Sequence, residues 1–293
     1  MIQTCVTSPP YYGLRDYGHD GQIGLEETPE LYVAHLVDVF REVKRVLRDD
    51  GTLWLNLGDS YATGTKADRQ PSTGLLKHHT AQDIKRIGTP EGLKTKDLIG
   101  IPWMVAFALR ADGWYLRSDI IWHKPNPMPE SVKDRPTKAH EYIFLLSKSQ
   151  KYYYDMDAIK EPAAAKSAAR YYRGAYSFAR KTNESPPPGQ PPQHRADRED
   201  VQYSEFRNKR SVWTVATKPY KGAHFATFPP DLIEPCILAG SKPGDIVLDP
   251  FNGSGTTGAV ALKNGRNYIG CELNPDYIKL TQERLSQLQI KLA

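Results

Sequence analysis

The chain is 293 residues long and 39% hydrophobic, enough to bury a full α/β core and still carry irregular insertions on one catalytic domain. Its 39 Lys and Arg against 34 Asp and Glu leave a formal charge of +5, which suits a polyanionic partner but is too modest to identify one. No apolar run approaches the roughly 20 residues of a membrane span, no charged-then-apolar leader is present, and Cys5, Cys236 and Cys271 lack metal-ligand spacing, so no membrane, no metal and a cytoplasmic location with reduced thiols are expected.

The first residues, 2–7, are rich in β-formers and run into Pro9 and Pro10, which cannot continue a central ladder, so a strand is predicted to end there. Residues 28–47 carry apolar side chains at helical spacing behind Thr28 as N-cap and Pro29, which predicts an amphipathic helix ended by Gly51. Residues 52–57 read as a buried strand, giving the strand, helix, strand order of a parallel sheet. Residues 60–96 are polar and basic, a long loop expected to be mobile. A helix is predicted over 101–111, then strands over 114–122 and 141–147 around a Pro-rich connection.

Composition changes over 151–210, where tyrosines alternate with Arg and Lys and a Pro-rich stretch covers 186–192; this reads as an insert. Regular α/β order returns with a helix over 229–239, a strand over 246–249, a helix after Gly255, a strand over 268–273 and a last helix over 275–288. The division expected is 1–150, 151–210 and 211–293.

The segment DPFNGSGTTG, residues 249–258, lies between a predicted strand and helix, where glycines let a ligand approach the backbone and the helix N-terminus faces it. Gly253, Gly255 and Gly258 fit the dinucleotide spacing, and Glu272 ends the next strand, where a carboxylate reaches ribose hydroxyls. A nicotinamide enzyme therefore stays open, as does a structural turn. Against the first, almost nothing follows the last helix and Asp249-Pro250-Phe251 is an unusual lead-in; without a Lys after the glycines, a P-loop is excluded.

Ser8-Pro9-Pro10-Tyr11 carries a sharper signal. The exocyclic amine of a base is a poor nucleophile, its lone pair being delocalised into the ring, and acceptors aimed at its two N–H bonds localise that pair. Ser8 Oγ and the Pro9 carbonyl, held by a rigid Pro-Pro step, supply two such acceptors. They stabilise charge that develops on nitrogen in the transition state. Tyr11 offers a face on which a base extruded from the duplex stacks. The plain alternative is that Pro-Pro-Tyr merely closes a strand.

Together, TSPPYYGLRDYG and DPFNGSGTTG in this order, with GTLWLNLGDSY, RPTKAHEYIFLLSK and HFATFPPDLIEP, resemble the β group of amino-methyltransferases of restriction-modification type over nearly the whole chain. The resemblance implies an α/β, Rossmann-like sheet, circularly permuted so that the catalytic half comes first and the cofactor half last, with an inserted target-recognition region at 151–210. It implies S-adenosyl-L-methionine as cofactor and double-stranded DNA with a flipped base as partner, and it allows a homodimer. By the same likeness Ser8, Pro9, Pro10 and Tyr11 form the base pocket. Asp249, Phe251, Gly253, Gly255, Thr256 and Glu272 hold the cofactor, and His224, Thr227 and Phe228 lie beside its methionine part.

Members of this group with Ser at the first motif position are mostly cytosine-N4 enzymes, so Ser8 favours cytosine N4 over adenine N6. Methylation of cytosine C5 needs a thiolate at the turn, and Cys5 lies inside the strand instead. Related chains usually carry a strand and helix ahead of the catalytic strand, with an acidic residue facing the cofactor adenine. A DNA-binding homologue with little catalysis is therefore the alternative class.

Overall fold

In a computed structural model of the chain, the structure describes residues 1–62, 89–163, 205–218 and 228–292. Met1–Asp155 with Arg210–Ala293 forms one compact unit, and Met156–Lys209 a second. Within the second, β5 (Glu161–Pro162) pairs antiparallel with β6 (Phe206–Arg207) after a single 3-10 turn, Asp157–Ile159. Arg207 closes on Glu161 at 2.9 Å.

The first unit is a seven-stranded sheet flanked by helices. Its strands are β1 (Ile2–Thr7), β2 (Leu47–Leu57), β3 (Tyr115–His123), β4 (His140–Ser147), β7 (Val212–Thr214), β8 (Ile246–Asp249) and β9 (Asn267–Gly270), in the order β7-β3-β4-β2-β1-β8-β9. β4 runs antiparallel to both its neighbours, and the other pairs are parallel. This is the mostly parallel, Rossmann-like α/β sheet expected. β1 sits between β2 and β8, so the first strand of the chain pairs with one from its last fifty residues.

Helix α1 (Pro29–Val46) starts where its sequence says it should: Thr28 accepts from the Leu31 amide at 3.2 Å and Pro29 stands in the first turn, where a missing N–H costs nothing. Its buried stripe, Tyr32, Leu36, Val37, Phe40 and Val43, meets Leu53, Leu55 and Leu57 of β2 and the apolar side of α2 (Ile101–Ala111). The opposite face of the sheet holds Thr4, Thr52 and Trp54 under α3 (Pro230–Gly240), against which α4 (Thr256–Lys263) packs. The last helix is α5 (Pro275–Leu292).

Four elements depart from expectation. β2 begins at Leu47 rather than 52, because Leu47 pairs with Ile2 before a register shift and Lys148 Nζ bonds its carbonyl at 2.8 Å; α1 therefore stops without reaching Gly51. β9 ends at Gly270 rather than 273, because the chain turns into the Glu272 carboxylate, which accepts from the Asn274 amide. β7 has only three residues, too few to show periodicity, and is held by β3 and by Trp122 Nε1, which donates to the Val215 carbonyl at 2.8 Å. Of the loop expected over 60–96, residues 63–88 lie outside the described residues, but its ends are pinned by Ala62 and Lys96, which exchange backbone bonds with Asp97 and Ala62 at 2.9 Å.

Among the described residues no helix is long and apolar enough to cross a membrane, and no group of three His, Cys, Asp or Glu side chains comes together as a metal site. Cys5, Cys236 and Cys271 form no disulfide.

The tightest helix-to-sheet contact yields a prediction. A Cβ on Gly240 would stand 2.7 Å from Thr4 Oγ1, 2.9 Å from Trp54 Nε1 and 3.0 Å from Thr52 Oγ1, all buried. Gly240→Ala is expected to lower unfolding stability by about 1–3 kcal/mol in denaturant titration, and an unchanged midpoint would show that α3 does not seat on this polar trio.

Candidate active site

The glycine turn leaves β8 at Asp249 and enters α4 through Gly255. Its glycines serve different purposes. Gly255 lies at φ +73° and a Cβ there would strike Thr281 of α5 at 2.7 Å, while one on Gly258 would strike the Tyr268 ring at 2.6 Å. These two close the turn against the protein. Gly253, at φ +50°, meets nothing nearer than the Phe251 carbonyl at 4.0 Å, so its outer side is open for a ligand to approach the backbone.

Around the turn, Asn252 Nδ2 donates to Thr281 Oγ1 at 2.8 Å, and Arg284 donates to the Ser254 carbonyl at 2.9 Å and to Thr256 Oγ1 at 3.0 Å. Glu272 stands just past β9, half-buried, and accepts from the Gly253 amide at 2.7 Å and the Asn274 amide at 2.9 Å. A carboxylate oxygen carries two lone pairs, so both remain able to accept further bonds. The first turn of α4, a left-handed glycine with open space before it and a fixed carboxylate form a cradle for a ligand with an anionic end and a diol.

The SPPY segment leaves β1 beside this cradle. Thr7 Oγ1, the last residue of β1, donates to Asp249 Oδ1 at 2.6 Å; Thr257 Oγ1 donates to Asp249 Oδ2 at 2.7 Å and the Phe251 amide to Oδ1 at 3.0 Å. One carboxylate thus ties the end of the first strand to both sides of the glycine turn. Next in the chain, Ser8 is half-buried and Pro9 buried. The Pro10 carbonyl accepts from Tyr32 of α1 at 2.8 Å, whereas no donor among the described residues engages that of Pro9.

Tyr11 donates to Glu141 Oε2 at 2.6 Å, and its ring lies so close on Gly58 that a Cβ there would clash with it. The chain then folds back, with Gly13 bonding the Gly24 carbonyl at 2.8 Å.

Of the expected site residues, Ser8, Pro9, Pro10 and Tyr11 on one side, and Gly253, Gly255, Thr256 and Glu272 on the other, flank the two adjoining strand ends. Asp249 is 1% exposed and accepts from three protein donors, Thr7, Thr257 and the Phe251 amide. Phe251 turns partly into the core, edge-on to Phe40 at 6.5 Å. Phe228 is half-buried just ahead of Pro229, the N-cap of α3, and His224 and Thr227 lie outside the described residues.

Thr7 and Thr257, which make the joint, were not singled out from sequence. The available signal was a hydroxyl at each of two strand or helix ends flanking one Asp. Cys5 is fully buried, and burial together with the Asp249 charge pushes its thiol well up, which removes it as a nucleophile.

Burial raises the Asp249 carboxyl from its ordinary 3.8 to about 6, against the pull of its three donors, with the Glu272 charge adding to the rise. The fold therefore binds this proton more tightly than the unfolded chain. That contribution to stability is complete below about pH 4 and is lost as pH rises through about 6, on the order of 3 kcal/mol in all. Relative to Asp249→Asn, which does not titrate, the native protein is expected to lose unfolding stability between pH 4 and pH 7; a difference independent of pH would contradict the assignment.

A family model described as DNA methylase matches residues 2–283 of this chain. The type II methyltransferase M.Cfr9I of Citrobacter freundii is 51% identical over 284 residues, covering 97% of this chain and 81% of the relative. Among solved structures, the PvuII DNA methyltransferase (cytosine-N4-specific) superposes with a TM-score of 0.61 at 19% identity, over 97% of this chain and 79% of that one. TTHA0409 of Thermus thermophilus, complexed with S-adenosyl-L-methionine, superposes with a TM-score of 0.56 at 23% identity, over 98% and 86%. At these identities the structural likeness is one of fold, while the family match spans nearly the full sequence and the relative is half identical: the chain belongs to the DNA methylase family.

Proposed function

We propose that this protein transfers a methyl group from S-adenosyl-L-methionine to the N4 amino group of cytosine in double-stranded DNA, acting on a base turned out of the duplex. The observation that carries this reading is the joint at Asp249, which holds Ser8-Pro9-Pro10-Tyr11 and the open glycine turn at neighbouring strand ends. The choice of cytosine is supported by Ser8 at the first motif position and by the cytosine-N4 specificity of the PvuII neighbour.

The cradle fits the cofactor. The start of α4, across the open side of Gly253, would take its methionine carboxylate and Glu272 its ribose hydroxyls, with Phe228 beside the methionine part. When bound, the cofactor supplies an electrophilic methyl on a sulfonium. Ser8 Oγ and the Pro9 carbonyl accept the two amine hydrogens, which localises the nitrogen lone pair. Both bonds strengthen as nitrogen gains positive charge, so they lower the barrier more than they tighten ground-state binding. Tyr11 gives the extruded base an aromatic surface, a contact worth about 1–3 kcal/mol against an extrusion cost of a few.

The order of the halves, base pocket before cofactor turn, is read as a circular permutation. Residues 151–210, rich in Tyr, Arg and Lys, are read as the target-recognition insert, with contacts to phosphates and bases.

Mass spectrometry of nucleosides from treated DNA tests the reading: N4-methylcytosine is expected. N6-methyladenine would overturn the choice of base, and the absence of any methylated nucleoside would favour a DNA-binding homologue. Ser8→Ala is expected to lower kcat about 100-fold with cofactor affinity unchanged in calorimetry; equal losses of binding and turnover would count against its role. Glu272→Ala should weaken cofactor binding roughly 10- to 100-fold and leave DNA affinity alone, and Glu272→Gln, which keeps an acceptor for the Gly253 amide, separates ribose contact from turn support.

A further inference from the structure

Behind the base pocket lies a polar cluster that the chemistry above does not use, and sheet register builds it. Side chains alternate along β2, so Asn56 and Gly58 fall on the face of Trp54, opposite Leu55 and Leu57. Asn56 pairs with Ile143 of β4, which puts Glu141, two residues earlier, on the same face and across from Trp122 of β3. The ladder runs one step further, with the Lys124 amide donating to the Ala139 carbonyl at 2.8 Å. Lys124 therefore shares the face of Trp122, with its ammonium 4.3 Å from the centre of that ring and paired with one Glu141 oxygen. The Glu141 and Lys124 side chains are 14% and 18% exposed, and Asn56 is buried.

Tyr11, arriving from β1, is held by this cluster at two places. Its phenol donates to Glu141 Oε2 at 2.6 Å, with Asn56 Oδ1 at 3.2 Å from the same hydroxyl. Asn56 is itself fixed, Nδ2 donating to the Tyr142 carbonyl at 3.0 Å, which leaves its oxygen turned to Tyr11. The ring packs against Gly58, where a Cβ would overlap Cε2 and stand 2.9 Å from Cδ2. A tyrosine has two side-chain torsions, and contacts at its tip and at its ring fix both. A phenol bonded to an ionised carboxylate is held roughly twice as strongly as by a neutral partner.

We infer that Glu141 is a positioning residue whose carboxylate, paired with Lys124, clamps the Tyr11 phenol so that the ring stands ready as the surface on which the extruded base stacks. The inference rests on the reading of Tyr11 given above. Stacking has to offset an extrusion cost of similar size. A ring ordered only when the base arrived would lose part of that gain, and one already clamped keeps it.

Tyr11→Phe tests this directly, because it keeps the ring and the Lys124–Glu141 pair and removes only the clamped hydroxyl. It is expected to lower kcat/KM for DNA by about 10-fold, the size of a charge-assisted hydrogen bond, with cofactor affinity unchanged in calorimetry. A fully active Tyr11→Phe would overturn the inference. Glu141→Ala should lower kcat/KM at least as far. Glu141→Gln, whose oxygen faces Lys124 while its NH2 donates to the phenol oxygen, should recover most of that loss. Were Glu141 there only to neutralise Lys124, Gln would fail as Ala does, and that result would also overturn the inference.

A readout free of turnover is the affinity for a duplex of the methylated sequence from which the target base has been removed, measured by fluorescence anisotropy. With no base to stack, Tyr11→Phe and Glu141→Ala should bind this abasic duplex within about twofold of the native protein. An equal loss of affinity there would show that the cluster supports the DNA-binding surface at large, against the inference. A native protein that methylates no DNA would remove the proposed function, and the stacking surface with it.

Discussion

A buried carboxylate bonded to a residue 242 positions away in the chain organises this molecule: Asp249 accepts from Thr7 on one side and from Thr257 of its own turn on the other. Ionising it away from water is costly, as its raised carboxyl shows, and three donors offset much of that cost. Removing any of them would leave a buried acceptor short of a partner, a loss of about 1–3 kcal/mol. The joint therefore holds two loops in one place, where loops alone would drift.

Topology explains why the joint falls where it does. α1 follows β1 on the face occupied by Leu53, Leu55 and Leu57, whereas α4 follows β8 on the opposite face with α3. The two crossovers leave adjacent parallel strands in opposite directions, so a crevice opens between the carboxyl ends of β1 and β8. Such a switch point is where open α/β sheets bind their ligands. Here the SPPY segment borders it on one side and the glycine turn on the other, and under the proposed function this lets one site serve two substrates.

Much of this was legible in the sequence. β1, α2 and β8 lie where their patterns put them, because each is bounded by a strong local signal: the Pro-Pro step, the Gly100-Ile101-Pro102 helix start and the DPF turn. Elements bounded by tertiary contacts were read less well. The early start of β2 depends on pairing with Ile2 and on Lys148, and the early end of β9 on the Glu272 turn. Three-residue β7 has no period to read.

At the site, the residue types were recognisable but their division of labour was not. Gly255 and Gly258 look like ligand contacts in a motif, yet their missing Cβ atoms make room for Thr281 and Tyr268, and only Gly253 opens outward. Asp249 reads as a cofactor contact, and its sequence neighbours give no sign that it also forms the joint with Thr7. Partners such as Thr7 for Asp249 or Glu141 for Tyr11, separated by 242 and 130 residues, have no local pattern to reveal them. The account as a whole is tested most directly by a crystal structure with a duplex and a non-transferable analogue of S-adenosyl-L-methionine. It predicts the group replacing the methyl within about 3–4 Å of an extrahelical amino nitrogen, with Ser8 Oγ on that nitrogen and the analogue on Gly253. An analogue bound away from the β1–β8 crevice, or a base seated out of reach of Ser8, would contradict it.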